Sequence, residues 1–263
     1  ISKVKKMNIH KTAIVHPGAK IADDVVIGPY SVVGANVTLS SGVKVAHHCV
    51  IDGCTTIGCD TEIFSSAVIG SIPQDRKYKK EEKTYLEIGA HNIIREFVTM
   101  NPGTGEGGKT KIGDDNLFMA YSHIAHDCLI GSHCTLANVG TLAGHVTLED
   151  NVVIGGLTAI HQFVRLGKYS IVGGCSKVVQ DIPPFSTCDG HPARVYGLNL
   201  VGLKRAGFSS QALRELKKAF KILFFSELTK STAVEEVKKQ IALLPEIEHL
   251  LHFVQTSQRG LCS

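Results

Sequence analysis

The sequence lacks several features that mark common protein classes. It contains no Trp among its 263 residues, and no apolar run approaches the ~20 residues that a membrane-spanning helix needs. The first residues show no signal-peptide pattern. These absences predict a cytoplasmic protein without stable membrane insertion. The net charge of +4 is too small to indicate a nucleic-acid partner.

The eight cysteines do not show the spacing of a disulfide framework or a zinc site, and no CxxC pair occurs. Cys49, Cys128 and Cys134 fall where the repeat described below requires a small inward residue. A free cysteine packs at such a position as a small hydrophobe. The chain is also long enough to fold without disulfides. We therefore expect reduced thiols, as is usual in the cytoplasm.

Many of the 26 glycines accompany an aliphatic residue that recurs at every sixth position. Four residues after each aliphatic comes a small or β-branched residue. The register is lost between residues 70 and 87, and a Gly-rich stretch interrupts it again at 101–111. The aliphatic positions are Ile9, Val15, Ile21, Ile27, Val33, Leu39, Val45, Ile51, Ile57, Ile63, Ile69, Ile88, Ile94, Met100, Ile112, Phe118, Ile124, Ile130, Leu136, Leu142, Leu148, Ile154, Ile160, Leu166, Val172 and Val178.

This period predicts the fold. An aliphatic that fills a core, a small residue beside it and a Gly that permits a tight turn define one short strand and one corner. Three such six-residue units make an 18-residue triangular coil, and coils stack at the ~4.8 Å spacing of β-strands. We therefore predict a mainly β fold, a left-handed parallel β-helix of hexapeptide repeats with a C-terminal α-helical domain. This fold is an exception to the right-handed crossover rule.

Helical periodicity follows Ile182-Pro183-Pro184, where the six-residue period ends. An N-cap at Ser209 or Ser210 would begin an amphipathic helix in 211–225, and further helices are predicted in 232–244 and 246–255. We predict an N-terminal extension at 1–8, a β-helix at 9–190 with loops at 70–87 and 101–111, and a C-terminal helical domain at 191–263.

Residues about 18 positions apart lie above one another on such a prism. His126, His145 and His161 should therefore lie near one edge, on three consecutive coils. Asn138, Gly156 and Gly174 differ by 18 each and form a second vertical line. Imidazoles beside a line of small residues suggest catalytic groups that flank a slot for a long, thin substrate.

Two chemistries use several histidines on such a prism. One is a zinc site of three imidazoles, as in γ-type carbonic anhydrases. The other is acyl transfer, in which Asp127 holds the tautomer that leaves one nitrogen of His126 basic. The pattern His123-x-x-His126 resembles part of a metal site, but His145 and His161 belong to later coils. Acyl transfer without a metal is the favoured interpretation, and a non-catalytic scaffold stays an alternative.

Six segments resemble UDP-N-acetylglucosamine O-acyltransferases, which catalyse the first step of lipid A biosynthesis in Gram-negative bacteria. They are HIAHDC at 123–128, TLAGH at 141–145, IGGLTAIHQF at 154–163, VGGCS at 172–176, QDIPPF at 180–185 and GLNLVGLKRAGF at 197–208. The resemblance implies transfer of an R-3-hydroxyacyl chain from acyl carrier protein to the 3-position of UDP-N-acetylglucosamine. It further implies a homotrimer with sites between neighbouring β-helices, and no cofactor.

The resemblance also implies roles for individual residues. His126 would be the general base, oriented by Asp127, and the backbone N–H of Gly144 would stabilise the oxyanion. By analogy with the family, Gly174 would leave the acyl groove open to a chain of about fourteen carbons or more. Each buried CH₂ contributes ~0.8 kcal/mol, so two methylenes suffice for roughly tenfold discrimination between lengths. The other substrate-binding residues would be Gln74, Asp75 and Lys77 in the loop that holds the sugar, His123, His145 and His161 around the sugar and acyl chain, and Gln162, Asn199 and Arg205 on the nucleotide.

Some residues depart from the family's pattern. Asn101-Pro102 replaces a His-Arg pair, and Val201 and Ala206 stand where an acidic residue and a second Arg often contact the nucleotide. These differences leave open whether the acceptor is a 3-hydroxyl or a 3-amino sugar, so that the product is an ester or an amide. The related N-acyltransferase of the same pathway is an alternative, but it normally carries an extra N-terminal uridine-binding domain, whereas the coils here begin by Ile9.

Overall fold

The structure is a computed structural model, and it describes residues 8–262. Within this range the chain forms 28 strands and four helices, numbered below in chain order. The predicted extension at residues 1–8 lies outside the described residues except for Asn8, which begins the first strand.

The strands form three sheets, which are the three faces of a prism. The first sheet contains β1 Asn8–Ile9, β4 Val26–Ile27, β7 Lys44–Val45, β10 Glu62–Ile63, β13 Ile93–Ile94, β16 Leu117–Phe118, β19 Thr135–Leu136, β22 Val153–Ile154, β25 Ile171–Val172, β27 Ser186–Gly190 and β28 Ala193–Leu198. The second sheet contains β2 Ile14–Val15, β5 Val32–Val33, β8 Val50–Ile51, β11 Val68–Ile69, β14 Thr99–Met100, β17 His123–Ile124, β20 Thr141–Leu142, β23 Ala159–Ile160 and β26 Lys177–Val178. The third sheet contains β3 Lys20–Ile21, β6 Thr38–Leu39, β9 Cys54–Ile57, β12 Tyr85–Ile88, β15 Lys109–Ile112, β18 Leu129–Ile130, β21 Thr147–Leu148 and β24 Arg165–Leu166.

The chain contributes one strand to each sheet before it returns to the first, so each strand pairs in parallel with the strand one coil later. Asn8 pairs with Val26, and Ile9 with Ile27. The last pair differs, because β28 runs antiparallel to β27. The predicted fold class, a left-handed parallel β-helix with C-terminal helices, is confirmed.

The core is a column of the periodic aliphatic side chains. From Ile27 to Val178 these residues are buried, and each full burial stabilises the fold by about 1.5–3 kcal/mol. Cys49, Cys128 and Cys134 lie inside the column with at most 1% of their surface exposed, so their predicted inward position is confirmed. All eight cysteines are free thiols.

Three series of turns form the edges of the prism. The histidine corner joins the second sheet to the third and includes loops 70–84 and 101–108 and turns 125–128, 143–146, 161–164 and 179–182. The glycine corner joins the first sheet to the second and includes turns 137–140, 155–158 and 173–176. The helical corner joins the third sheet to the first and includes turns 149–152, 167–170 and 183–185. In most turns the third residue has a left-handed backbone, even where it is Val139 or Leu157.

The two loops of the histidine corner are shorter than the sequence predicted. Strands β12 and β15 begin at Tyr85 and Lys109, inside the predicted loops 70–87 and 101–111. Both are four-residue strands that pair along their full length. Leu86 and Thr110 face the core with no exposed surface, which extends these strands toward their N-terminal ends.

Strands β27 and β28 form a β-hairpin that precedes the helices. The hairpin crosses the predicted boundary between the β-helix and the helical domain at residue 190. The hairpin extends the first sheet because β27 pairs with β25. The helices are α1 Leu200–Arg205, α2 Ser210–Phe224, α3 Lys230–Gln240 and α4 Pro245–Thr256. Ser209 is the N-cap of α2, since its Oγ accepts the N–H of Ala212 at 3.0 Å. No helix within residues 8–262 has the length and apolar character needed to cross a membrane.

Glu149 links the last coils to α4. Its carboxylate accepts hydrogen bonds from His249 Nε2 at 2.7 Å and from the Lys168 N–H at 2.8 Å. Arg165 lies 4.0 Å away. Burial alone would raise the pKa of the Glu149 carboxyl, but the hydrogen bonds from His249 and Lys168 hold that pKa below its ordinary value.

Replacing Glu149 with Gln is expected to lower the free energy of unfolding by about 1–2 kcal/mol at neutral pH, because two donors then share one weaker acceptor. A carboxyl with a lowered folded pKa stabilises the fold above the unfolded value of 4.5, and this stabilisation is lost as the pH falls through the folded pKa. The difference between variant and wild type, measured by urea unfolding, should therefore shrink in acid. Glu87→Gln, which removes an exposed ion pair with Lys109, is the matched control and should cost less.

Candidate active site at the histidine corner

Successive turns of the histidine corner lie directly above one another. The His145 N–H donates to the carbonyl of His126 at 3.0 Å, and the Phe163 N–H donates to the carbonyl of Gly144 at 3.2 Å. The 18-residue register therefore stacks Asp127, His145 and Phe163 in one line. It stacks His126, Gly144 and Gln162 in the neighbouring line.

His126 and Asp127 form a partly buried pair. Nδ1 of His126 lies 2.8 Å from Oδ2 of Asp127, and the side chains are 16% and 13% exposed. An ionised carboxylate can only accept, so Nδ1 carries the proton and Nε2 keeps its lone pair. This is the arrangement of a general base that can take a proton at Nε2.

Thr104 holds the carboxylate of Asp127 in place. Its hydroxyl donates to Oδ2 at 2.6 Å, and its backbone N–H donates to Oδ1 at 3.0 Å. Burial alone would raise the pKa of Asp127, but the hydrogen bonds from Thr104 and His126 outweigh burial and lower that pKa. Sequence reasoning missed Thr104, because it lies in a loop where the six-residue period is absent.

Removing the Thr104 hydroxyl in Thr104→Val should raise the pKa of Asp127 toward its ordinary value. We expect catalytic efficiency to fall roughly tenfold, the equivalent of one hydrogen bond of ~1.4 kcal/mol. The acid limb of the pH profile should also move to higher pH, because Asp127 must be ionised to orient His126. Thr147→Val, on a strand of the third sheet, is the control. An unchanged acid limb in Thr104→Val would contradict the role given to Thr104.

Gly144 lies against the imidazole of His126. A Cβ built on Gly144 would lie 2.5 Å from Cε1 and 2.7 Å from Nε2 of that ring. Only a glycine therefore leaves room for the ring as it stands. The N–H of Gly144 donates no hydrogen bond to any of residues 8–262, so it is free to donate to a negatively charged oxygen beside His126.

The other predicted histidines surround this pair. His123 Nδ1 lies 2.7 Å from the Thr99 hydroxyl, and burial lowers its pKa. Nε2 of His145 lies 3.7 Å from Oδ2 of Asp127. His145 also stacks on Phe163 with ring centroids 4.6 Å apart.

Phe163 was not predicted from the sequence as a site residue. Its spacing of 18 residues from His145 is the signal that could have found it. His161 and Gln162 are exposed on the same turn. The ring of His161 lies further from the pair, where its Nδ1 is 3.2 Å from Nη2 of Arg259.

The loop that contains Gln74, Asp75 and Lys77 belongs to the same corner, on an earlier coil. Asp75 Oδ1 accepts the N–H of Lys77 at 2.9 Å. The amide of Asn101 donates to the carbonyl of Ser71 at 3.0 Å, which ties this loop to the loop of Thr104. Among residues 8–262, no hydrogen bond joins Gln74, Asp75 or Lys77 to the histidines.

Three side chains at this corner could also bind a metal ion. Ligand atoms of His126, Asp127 and His145 lie within 4.8 Å of one another. However, Asp127 Oδ2 already accepts from Thr104 and His126. A metal would have to replace these hydrogen bonds, so the geometry favours the general base.

Family models and known proteins match most of this chain. A family model described as UDP N-acetylglucosamine O-acyltransferase, domain 2, matches residues 181–262, and bacterial transferase hexapeptide repeats match residues 6–41 and 109–139. The acyl-[acyl-carrier-protein]–UDP-N-acetylglucosamine O-acyltransferase of Thermodesulfovibrio yellowstonii is 51% identical, over 97% of this chain and 98% of its own length. The chain belongs to this O-acyltransferase family.

Solved structures of the O-acyltransferase family superpose closely on this chain. LpxA from Acinetobacter baumannii has a TM-score of 0.93 at 43% identity, covering 97% of this chain and 99% of its own. LpxA from Bacteroides fragilis has a TM-score of 0.94 at 38% identity, with the same coverage. The predicted resemblance and the assignment as an acyltransferase are confirmed.

Not all residues that the O-acyltransferase resemblance implied lie at the histidine corner. Gly174 lies at the glycine corner. Asn199 lies beside the helical corner, where its Nδ2 donates to the carbonyl of Tyr169 at 3.0 Å and its Oδ1 accepts the N–H of Gly202. Arg205 ends α1 and is exposed. Within one chain these groups occupy three separate edges.

Proposed function

We propose that this chain transfers an R-3-hydroxyacyl group from acyl carrier protein to the 3-position of UDP-N-acetylglucosamine. The reaction would be the first step of lipid A biosynthesis in the cytoplasm. The observation that supports this most is the His126–Asp127 pair beside the free N–H of Gly144, in a chain of the O-acyltransferase family. One edge thus offers a base and an oxyanion donor.

In the proposed reaction, Nε2 of His126 takes the proton of the 3-hydroxyl as its oxygen attacks the thioester carbonyl. The negative charge on the tetrahedral intermediate is stabilised by the N–H of Gly144. The intermediate then expels the carrier thiolate, which receives the proton from His126. Asp127 stabilises the imidazolium between these steps.

We also propose a homotrimer. The three sets of substrate-binding residues lie on separate edges, so one substrate can meet all of them only between neighbouring chains. The glycine corner supports this assembly, because its exposed apolar side chains form a line, among them Tyr121 and Leu157, which are 57% and 62% exposed. Light scattering after size exclusion should give three times the mass of the chain, and the mass of one chain would contradict the assembly.

In the proposed assembly, Gly174 sets the length of the acyl chain. A Cβ there would meet only the backbone of Gly156, 3.2 Å from its oxygen, so a larger side chain projects from the exposed corner. Gly174→Leu is expected to shift selection to shorter acyl chains, by roughly tenfold for each two methylenes excluded. Competition between hydroxyacyl carrier proteins of different lengths measures this shift. Gly174→Ala should give a smaller change, and identical preferences in all three proteins would contradict the role.

A direct assay tests the function. The protein is incubated with R-3-hydroxyacyl carrier protein and either UDP-N-acetylglucosamine or its 3-amino analogue, and the products are resolved by mass. Ester formation with UDP-N-acetylglucosamine supports the proposal. Amide formation with the 3-amino analogue alone would identify the amino sugar as the acceptor. No transfer to either sugar contradicts the proposed function. UDP-3-O-acylglucosamine is included as a third acceptor, and acylation of it alone supports the N-acyltransferase. Zinc content and carbon dioxide hydration are measured on the same protein, and stoichiometric zinc with hydration supports a γ-type carbonic anhydrase.

A further inference from the structure

The C-terminal tail, residues 257–262, docks on the last turn of the histidine corner. The Asp181 N–H donates to the carbonyl of Gly260 at 2.8 Å, and the Cys262 N–H donates to the carbonyl of Asp181 at 2.9 Å. The Ser257 hydroxyl donates to Oδ2 of Asp181 at 2.7 Å. The tail therefore continues the stack one level beyond turn 179–182, which itself follows the turn of His161.

The end of the tail is anchored in the core. Cys262 is 2% exposed, and its thiol donates to the carbonyl of Ala193 at 2.7 Å. The thiol also contacts Cys188, which is fully buried, and this contact together with burial raises the pKa of Cys188. Because the tail is held at both Ser257 and Cys262, the backbone of Arg259 between them has a fixed position.

The guanidinium of Arg259 lies over the turn of His161. Nη2 is 3.2 Å from Nδ1 of His161 and 3.3 Å from the carbonyl of Val179. Nδ1 of His161 also lies 3.2 Å from the Gln162 carbonyl, so it accepts from Arg259 only in the tautomer that carries its proton on Nε2. Neither partner supplies a negative charge. Of the carboxylates in residues 8–262, none lies within 4.0 Å of Arg259, and Nε and Nη1 donate no hydrogen bond inside that range.

The guanidinium of Arg259 has no carboxylate partner within 4.0 Å among the described residues, and it lies at the edge that carries His126. This position suits the binding of an anionic ligand. Arg is always protonated, and its planar set of donors matches phosphate oxygens. The two carboxylates on turns 125–128 and 179–182 are already engaged, Asp181 by the Ser257 hydroxyl and the Arg165 N–H and Asp127 by Thr104 and His126. Two coil steps of ~4.8 Å separate the turns of His126 and His161. A hexose that presents its hydroxyl to His126 can therefore carry a phosphate to the level of Arg259.

We propose that Arg259, positioned by the docked tail, binds a phosphate group of a substrate. This inference rests on the proposed function, in which both substrates carry phosphate. One source is the diphosphate of the UDP-sugar, and the other is the phosphodiester of the pantetheine arm on the carrier protein. Arg259 supplies charge and bidentate donors, whereas His126 supplies the chemistry.

The test compares Arg259→Gln and Arg259→Lys with wild type in two measurements. The first is binding of UDP alone and of 4′-phosphopantetheine alone, by calorimetry. The second is KM for each complete substrate, with kcat. Lys239→Gln removes an exposed charge on α3 and is the matched control. Circular dichroism verifies that each variant is folded. If Arg259→Gln does not fold, Arg259→Lys, which keeps the charge, is used for the comparison.

Arg259→Gln should weaken binding of one probe about tenfold, and KM for the corresponding substrate should rise by the same factor while kcat stays within about twofold. Arg259→Lys should be intermediate. Loss of UDP affinity assigns the nucleotide diphosphate, and loss of phosphopantetheine affinity assigns the carrier arm. Wild-type affinity for both probes in both variants overturns the proposal. Because binding is measured without turnover, this result is distinct from a failure of the transferase assay.

Discussion

Replacing His126 with Ala should lower kcat by about a thousandfold, while KM for the sugar nucleotide changes little. The expected loss corresponds to removal of a general base, which typically contributes 10²–10⁴-fold. The ring is the one imidazole at the corner whose Nδ1 is held by an ionised carboxylate at 2.8 Å. The neighbouring imidazole of His145 is less closely held, since its Nε2 lies 3.7 Å from the same carboxylate. Initial rates with UDP-N-acetylglucosamine and hydroxyacyl carrier protein measure the effect.

His133→Ala is the matched control for this substitution. Nδ1 of His133 also faces a carboxylate, Oδ2 of Asp115 at 4.0 Å, but its side chain is 57% exposed and lies at the helical corner. The control should retain full activity and the same thermal stability. If His126→Ala keeps more than about a tenth of wild-type kcat, the assignment of the general base is wrong.

Replacing Gly144 with Ala should nearly abolish transfer without unfolding the protein. The new methyl carbon would overlap the ring of His126, and the side chain is the movable partner in that contact. The ring must rotate away, which separates Nε2 from the substrate and removes the alignment with Asp127. We expect kcat to fall by roughly a hundredfold or more, since a misplacement of ~1 Å can cost that much.

A double variant separates this mechanism from general damage. If Gly144→Ala acts only by displacing the His126 ring, the methyl should have no further effect in a His126→Ala background, where the space is empty. The activity of the double variant should therefore equal that of His126→Ala. A further loss of tenfold or more would show that the methyl also disturbs the backbone N–H of Gly144 or another residue. The melting temperature of Gly144→Ala should stay within a few degrees of wild type.

The fold was predictable because a six-residue period leaves few alternatives. Each aliphatic in the column from Ile27 to Val178 could be assigned to the core from spacing alone. The same arithmetic placed His126, His145 and His161 on one edge. The predicted loop boundaries were wrong at Tyr85 and Lys109, where strands begin inside the predicted loops.

The parts of the site that escaped prediction lie where the period is absent. Thr104 contacts Asp127 from an irregular loop 23 residues earlier. Arg259 reaches His161 across 98 residues, through the folding of the helices and the tail. Such contacts depend on tertiary structure that no repeat encodes. The arithmetic put Gly174 in a second line but did not show that this line lies at another corner, away from the histidines. Asn199 follows the end of the period, so its position could not be read from spacing.

The left-handed turn residues separate chemistry from packing. Asp127, His145 and Phe163 occupy equivalent places on successive turns, with side chains outside the column of core aliphatics. Substitutions at such outward positions seldom change stability much, whereas substitutions in the column do. Over evolution, a protein of this kind can therefore exchange one substrate-facing side chain at a time while its interior stays constant. Related enzymes with different acceptors or acyl lengths can thus diverge by changing turn residues alone.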